Sequence, residues 1–369
     1  MKSTGSFCNL TFCIIKSMTK RGATALIIFG MAALHGCGGN GAANNVSTAS
    51  AYTASFREAA IPVSGNVPGA AQPGSWPDDL DSDAQGNIWF AMHHANEIGS
   101  MSSAGAYTGF PVPTASSGMD SIAVDRARNL VWVSENDGNN LARVDIATGK
   151  VTEIPLPTPN AQPGDIRIGP DGTIWFGEGY YGGAGKGRLA KLDAATNSIT
   201  EIPLPTPRDL VDGIQVDSSG AVWFIEFIDN RLGRYASGQV TEFPLPRPNV
   251  YPTNLAIDAA NHLWVSEQGG NAIARFDSAT QQWREFPIPT ANSGPSGVTT
   301  DAAGNVWFTE FDANKIGLLP AGAAAIVDFA IPTPNSGPED IHILSDGGIA
   351  FTEQYGNKIG RITVTGLPH

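Results

Sequence analysis

The heptapeptide Gly304-Asn-Val-Trp-Phe-Thr-Glu310 decides the fold, because it recurs along the chain. Its Trp stands at 89, 132, 175, 223, 264 and 307, and Gly348-Ile-Ala-Phe-Thr-Glu353 is a seventh copy with Ala350 at that position. The spacings are 43, 43, 48, 41, 43 and 43 residues. Four-stranded propeller blades repeat at about 40–45 residues. In the sixth copy turn residues separate four β-compatible runs, 297–301, 305–310, 315–319 and 326–333. No run carries a helical period of adequate length, which excludes a helical solenoid. The sequence predicts an all-β, seven-bladed β-propeller of four-stranded blades.

The termini predict how the ring closes. The seventh copy ends after its third strand, Lys358-Ile-Gly-Arg-Ile-Thr-Val364, without the fourth. Ser55-Phe-Arg-Glu-Ala-Ala-Ile-Pro62 matches the missing strand, as in Val240-Thr-Glu-Phe-Pro-Leu-Pro246. Residues 55–62 are therefore expected to complete the last blade and remove two open sheet edges. The propeller is assigned to 55–369 and read as a monomer.

Ahead of it, Lys20-Arg21 precedes the apolar run Ala23–Leu34, which ends in Leu34-His35-Gly36-Cys37. The run is shorter than the roughly 20 residues a spanning helix needs and has the form of a secretory signal. Leu and Gly at −3 and −1 before Cys37 have the form of a bacterial lipobox. Residues 1–36 are read as a lipoprotein signal peptide, Cys37 as the lipidated residue, and the small polar stretch 37–54 as a flexible tether. This places the protein in the bacterial cell envelope, touching membrane only through its anchor. Cys8 and Cys13 fall in the signal, so Cys37 alone remains and no intramolecular disulfide is available.

Net charge is −13 over 369 residues, and residues 1–36 carry four cations and no acid, leaving the remainder at −17. So acidic a body excludes nucleic acid as a partner, since phosphate binding needs clustered cations. The expected partner is a small-molecule or peptide-like ligand.

In such a blade the loop leading into strand one and the loop leaving strand two open on the same face, the default site. The strand-one positions are rich in acid: Asp78-Asp79, Asp120, Asp165, Asp212 and Glu339-Asp340. Carboxylates converging on one axis need a cation or raised pKa values. Asp120, Asp165, Asp212, Glu339 and Asp340 are therefore candidate ligands for Mg²⁺ or Ca²⁺, the hard ions that oxygen donors favour; no organic cofactor is expected. Strand two ends in Glu at 135, 178, 226, 267, 310 and 353. Such repetition reads as blade-to-blade structure, with Glu310 and Glu353 kept as ligand-binding candidates. Blade one instead carries Ala91-Met-His-His-Ala95, making His93 and His94 candidate acid–base groups. On an extended segment at most one would face the pocket. Blade three has a five-residue insertion, Gly179-Tyr-Tyr-Gly-Gly-Ala-Gly-Lys-Gly187, in which Tyr180 and Tyr181 are candidate ligand contacts. Its Gly-Lys-Gly lacks the Walker spacing and a following Ser or Thr, so it is not a phosphate loop.

The repeat Trp-Phe-Thr-Glu-x-x-x-Asn-Lys-Ile-Gly-Arg, carried by 307–317 and 351–361, with Phe329–Pro338, resembles the virginiamycin B (streptogramin B) lyase family. The resemblance spans 76–364. It implies a seven-bladed propeller that linearises a cyclic depsipeptide by eliminating an ester C–O bond, with a bound Mg²⁺ and histidine acid–base groups. The family's Pro-His-Ala/Gly-Ile motifs correspond here to Pro295-Ser296-Gly297-Val298 and Pro338-Glu339-Asp340-Ile341, which lack histidine. Three readings stay open: a metal-assisted lyase acting on a lactone or depsipeptide, a non-catalytic binding propeller, and a gluconolactonase-type lactone hydrolase.

Overall fold

The computed structural model describes residues 52–63, 74–179, 187–206 and 210–367. They form seven four-stranded antiparallel sheets and no helix. Six sheets run in simple sequence order from inner to outer strand. The inner strands are Pro77–Ser82, Met119–Asp125, Pro163–Ile168, Val211–Val216, Pro252–Ile257, Pro295–Thr300 and Pro338–Ile343.

The seventh sheet closes the ring as expected. Thr53–Ala60 pairs with Lys358–Thr365 from Thr53↔Thr365 to Ala60↔Lys358. The strand starts at Thr53, not Ser55, so two residues assigned to the tether belong to the blade, and Ile61 and Pro62 lie beyond it. Asn357 then clasps the seam. Its Nδ2 donates to the Ile61 and Val63 carbonyls at 2.9 and 3.2 Å, and its Oδ1 accepts from the Ser75 amide at 2.7 Å.

The repeated residues explain themselves locally. The Asp six residues before each of Trp89, Trp223, Trp264 and Trp307 accepts from the indole Nε1 at 2.9–3.0 Å, tying the first hairpin turn to strand two. Gly304, at φ +84, supplies the left-handed residue such a turn requires. Apolar side chains bury between neighbouring blades: Trp264, Ile273 and Phe286 of the fifth pack on Val298, Val306 and Phe308 of the sixth.

One set of blade-to-blade polar contacts comes from the outer strands. The carboxylates of Glu153, Glu201, Glu242, Asp328 and Glu58 accept from the hydroxyls of Thr114, Thr158, Thr206, Thr290 and Thr333 in the preceding blades at 2.6–2.9 Å. The strand-two glutamates do not make these bonds. They lie 0–1% exposed, and their partners come from both sides of the seam: Glu135 accepts from Asn140 at 3.0 Å and Glu178 from Arg188 at 3.1 Å within one blade, whereas Glu267 accepts from Arg247 of the preceding blade's connection at 2.7 Å.

Candidate funnel site

Every inner strand breaks its register at one place, between Pro77 and Leu80 in blade one and at the equivalent residues in the other six. A bulge re-aims side chains that a regular ladder would hold in alternation. The bulged pairs are the acidic positions singled out by sequence. Sequence alone shows the acids but not the bulge, because register belongs to strand pairing.

The second bulged residues are Asp79, Ser121, Asp165, Gly213, Asn254, Gly297 and Asp340. Ser121 Oγ contacts Asp79 Oδ2 at 2.5 Å and Asp165 Oδ1 at 2.8 Å. Asp79 Oδ1 accepts from the Leu80 amide, and Oδ2 from the Ile122 amide of blade two. Asp165 accepts from its own Ile166 amide and from the Ile214 amide of blade four. These carboxylates fasten inner strands together.

Arg167, absent from the sequence-based site, lies among them. Its Nη1 is 2.7 Å from Asp165 Oδ1 and 3.4 Å from Asp79 Oδ2, and donates to the Ile166 carbonyl at 2.7 Å. Burial pushes Asp165 up to about 6, helped by the charges of Asp79 and Asp212 and opposed by Arg167. Burial also raises Asp340 strongly, together with the Asp79 charge. For Asp79 burial acts upward too, but Arg167 and the hydrogen bonds from Ser121 and Ile122 outweigh it and hold the group low. His342, one layer further on at Asp81 (3.6 Å), is lowered by burial.

The first bulged residues include Asp78, Asp120, Asp212, Ser296 and Glu339. Ser296 Oγ donates to Glu339 Oε1 at 2.6 Å across the seam of blades six and seven. Gln354 Nε2 donates to Asp78 Oδ1 at 2.7 Å, and His93 Nδ1 stands 4.0 Å from Asp78 Oδ2. His93 and His94 occupy a turn, not an extended segment, and their rings come within 5.4 Å of each other. His94 meets the Trp76 ring edge-on at 4.4 Å, and burial with the His93 charge lowers it to about 4. Trp76 meets Tyr355 at 5.4 Å, and Tyr355 meets Phe311 at 5.3 Å. Trp76 holds φ +55 where the sixth and seventh blades place Gly294 and Gly337. For a bulky residue that conformation is strained.

The five nominated metal ligands do not form one coordination sphere. Among the described residues no three His, Cys, Asp or Glu are grouped to hold an ion. Asp165 is committed to two backbone amides, Ser121 and Arg167, and Glu339 to Ser296. The residues present do not fit the Mg²⁺ the resemblance implies. Glu310 and Glu353 are fully buried, with Lys315 and Asp328, and Lys358 and Glu58, as the charged groups acting on them. Tyr180, Tyr181 and Cys37 lie outside the described residues.

Seven bulged blades converging on polar inner strands define a seven-bladed β-propeller. Residues 59–234 and 180–368 match the Virginiamycin B lyase family, and the chain belongs to it. A streptogramin B lyase structure is 30% identical, covering 85% of this chain and 98% of that one, with a TM-score of 0.76. Virginiamycin B lyase from Staphylococcus aureus is 29% identical over 84% of this chain and 99% of that one, TM-score 0.74. A catalytically inactive His-to-Ala form of the S. aureus enzyme, with quinupristin, is 29% identical over the same shares, TM-score 0.75. No curated protein matches.

Proposed function

We propose that the protein is an exported lipoprotein whose propeller holds a small peptide-like ligand on the funnel face without cleaving it. The Ser296–Glu339 hydrogen bond carries this reading. At the two positions where the resemblance expects catalytic histidines, a hydroxyl is spent on a carboxylate of the next blade. Eliminating an alkoxide needs a base for the α-proton and an acid for the departing oxygen, and this pair offers no imidazole for either. The inactive S. aureus variant with quinupristin supports treating binding and cleavage as separable in this family. Tyr355 and Ile228, the large apolar side chains exposed among the described residues, each sit two residues past a strand-two glutamate, on the same face.

The test uses quinupristin as probe. Saturable quenching of tryptophan fluorescence with no linear product by mass spectrometry is expected; steady ring opening would overturn the reading. Cys37→Ala should move the protein from the membrane pellet to the soluble fraction, and unchanged partition would remove the lipoprotein part.

One observation favours a second reading, elimination through blade one: His93 beside an Asp78 that Gln354 holds in place. A base oriented by a carboxylate is a recurrent acid–base unit. Cleavage of quinupristin that vanishes in His93→Ala would establish it, and cleavage surviving both His93→Ala and His94→Ala would exclude it.

A further inference from the structure

We infer that the row of rings His94, Trp76, Tyr355 and Phe311, on the rim of blades one, seven and six, seats a substituted ammonium group. This names the chemical class of the funnel's ligand and rests on the ligand-holding reading above. The row is built where each strand-one entry meets a strand-two exit. In blades two, six and seven the left-handed entry residue is glycine: Gly118, Gly294 and Gly337. Over each lies the residue two past the end of strand two, Asp137, Asp312 or Tyr355, and a Cβ on the glycine would come within 2.5–2.8 Å of it. Blade one keeps this pairing but sets Trp76 and His94 in it, with ring centroids 4.4 Å apart. An indole at φ +55 is held there against the backbone's own preference, and such strain concentrates at ligand sites.

Consecutive rings of the row stand at 67°, 82° and 71° to one another. None of the three pairs is stacked, so the faces turn in different directions, as the walls of a cage do. Tyr355, 36% exposed, opens the row to solvent. Charge selects the occupant. Ring faces carry the negative end of the aromatic quadrupole, and carboxylates flank the row. Burial, then the charges of Glu339 and Asp312, raise the Tyr355 phenol, and Gln354, the neighbour of Tyr355, holds Asp78 two residues past Trp76. Elsewhere the protein covers ring faces with its own cations: Arg143, Lys191, Arg234 and Arg275 stand 5.3–5.8 Å from the rings of Trp132, Trp175, Trp223 and Trp264. Among the described residues no Lys or Arg stands over a ring of the rim row. His94, lowered to about 4 by burial and the His93 charge, is neutral at physiological pH. The cation for these faces therefore comes with the ligand, its alkyl groups meeting the rings and its charge the carboxylates.

Saturation-transfer NMR titration of the purified full chain tests the assignment. The probes are choline chloride and the neutral alcohol in which carbon replaces the choline nitrogen, at constant ionic strength. Choline is expected to bind saturably, and the alcohol about tenfold more weakly. Tyr355→Phe should keep that preference, and Tyr355→Leu, apolar but without a ring, should lose it. Trp76→Gly restores the residue that blades six and seven carry, so it should fold, as its melting curve will show, and lose choline too. Should it not fold, the two Tyr355 variants decide. Glu339→Gln should weaken choline and leave the alcohol unchanged. Equal binding of the two probes, or a preference that survives Tyr355→Leu, would overturn the inference. If choline does not bind while quinupristin still quenches tryptophan fluorescence, the ammonium assignment fails and the ligand-holding reading stands. Selective choline binding without quinupristin binding supports the assignment and counts against quinupristin as a fair mimic of the ligand.

Discussion

The Thr333 hydroxyl donates to Glu58 Oε2 at 2.7 Å across 275 residues of sequence, and the Thr333 amide donates to Oε1 of the same carboxylate. Lys358 Nζ completes the knot at 2.9 Å from Glu58. The N-terminal strand is thus held by the same Thr–carboxylate contact that joins four other pairs of blades, so closing the ring uses the device that builds most of it.

Deleting residues up to 63 removes this contact, an eight-residue ladder and the Asn357 clasp together. The expected result is an unpaired edge on Lys358–Thr365 and aggregation on expression. Glu58→Ala alone should cost about 1 kcal/mol, the net worth of a hydrogen bond whose half-exposed donors Thr333 and Lys358 can turn to water, and urea unfolding measures it. A domain beginning at Gly65 that melts with the full one would show that the seam carries nothing.

How much of this was legible follows from which residues repeat. Glu58 was readable because Ser-Phe-Arg-Glu copies a pattern seen in other blades. The bulges and Arg167 were not. The bulge is a property of strand pairing, and Arg167 occupies one blade only, so no repetition marks it. The signal that was present is its two-residue offset from Asp165, which puts both on one side of the strand. The histidine pair lies in the turn after strand two, where the amides of His93 and His94 donate to the Trp76 and Ser75 carbonyls as Gln354 and Tyr355 do to Gly337 and Ser336; an extended-strand reading of that segment missed the turn.

The glycine of Lys-Ile-Gly has a steric cause. Gly99, Gly233, Gly317 and Gly360 lie directly across from Phe90, Phe224, Phe308 and Phe351, and a Cβ on any of them would enter the phenyl ring. Where the glycine is Ala142 or Ala274, the partner is Val133 or Val265, and only blade three sets an alanine, Ala190, across from a phenylalanine, Phe176. Gly317→Ala should therefore cost about 1–3 kcal/mol by overpacking. Adding Phe308→Val should recover part of it, since the pair then matches blades two and five. Urea unfolding of the three variants decides this, and a double variant no more stable than Gly317→Ala would show that the clash is not the cause.

The strand-two glutamates make stability depend on pH. Burial pushes Glu135, Glu178, Glu267 and Glu353 up to about 7, and Glu310, with Asp328 adding repulsion, to about 8. An acid whose folded pKa is raised holds its proton more tightly when folded. Its contribution is complete below the unfolded value near 4.5 and is lost as pH rises through the folded one. Glu58, Asp217 and Asp258 act oppositely: hydrogen bonds from Lys358, Ser219 and Trp264 outweigh burial and hold them low, so their stabilisation fails only in acid. Half-buried His94, lowered to about 4, opposes the glutamates between pH 4 and 6.5, but is outnumbered. Tm should therefore peak near pH 5 and fall by several degrees toward pH 8, at about 2–4 °C per kcal/mol. Glu310→Gln keeps the neutral shape without the proton to lose. It should leave Tm at pH 5 nearly unchanged and raise it at pH 8, whereas an equal shift at both would mean that Glu310 is held by packing and its charge is irrelevant.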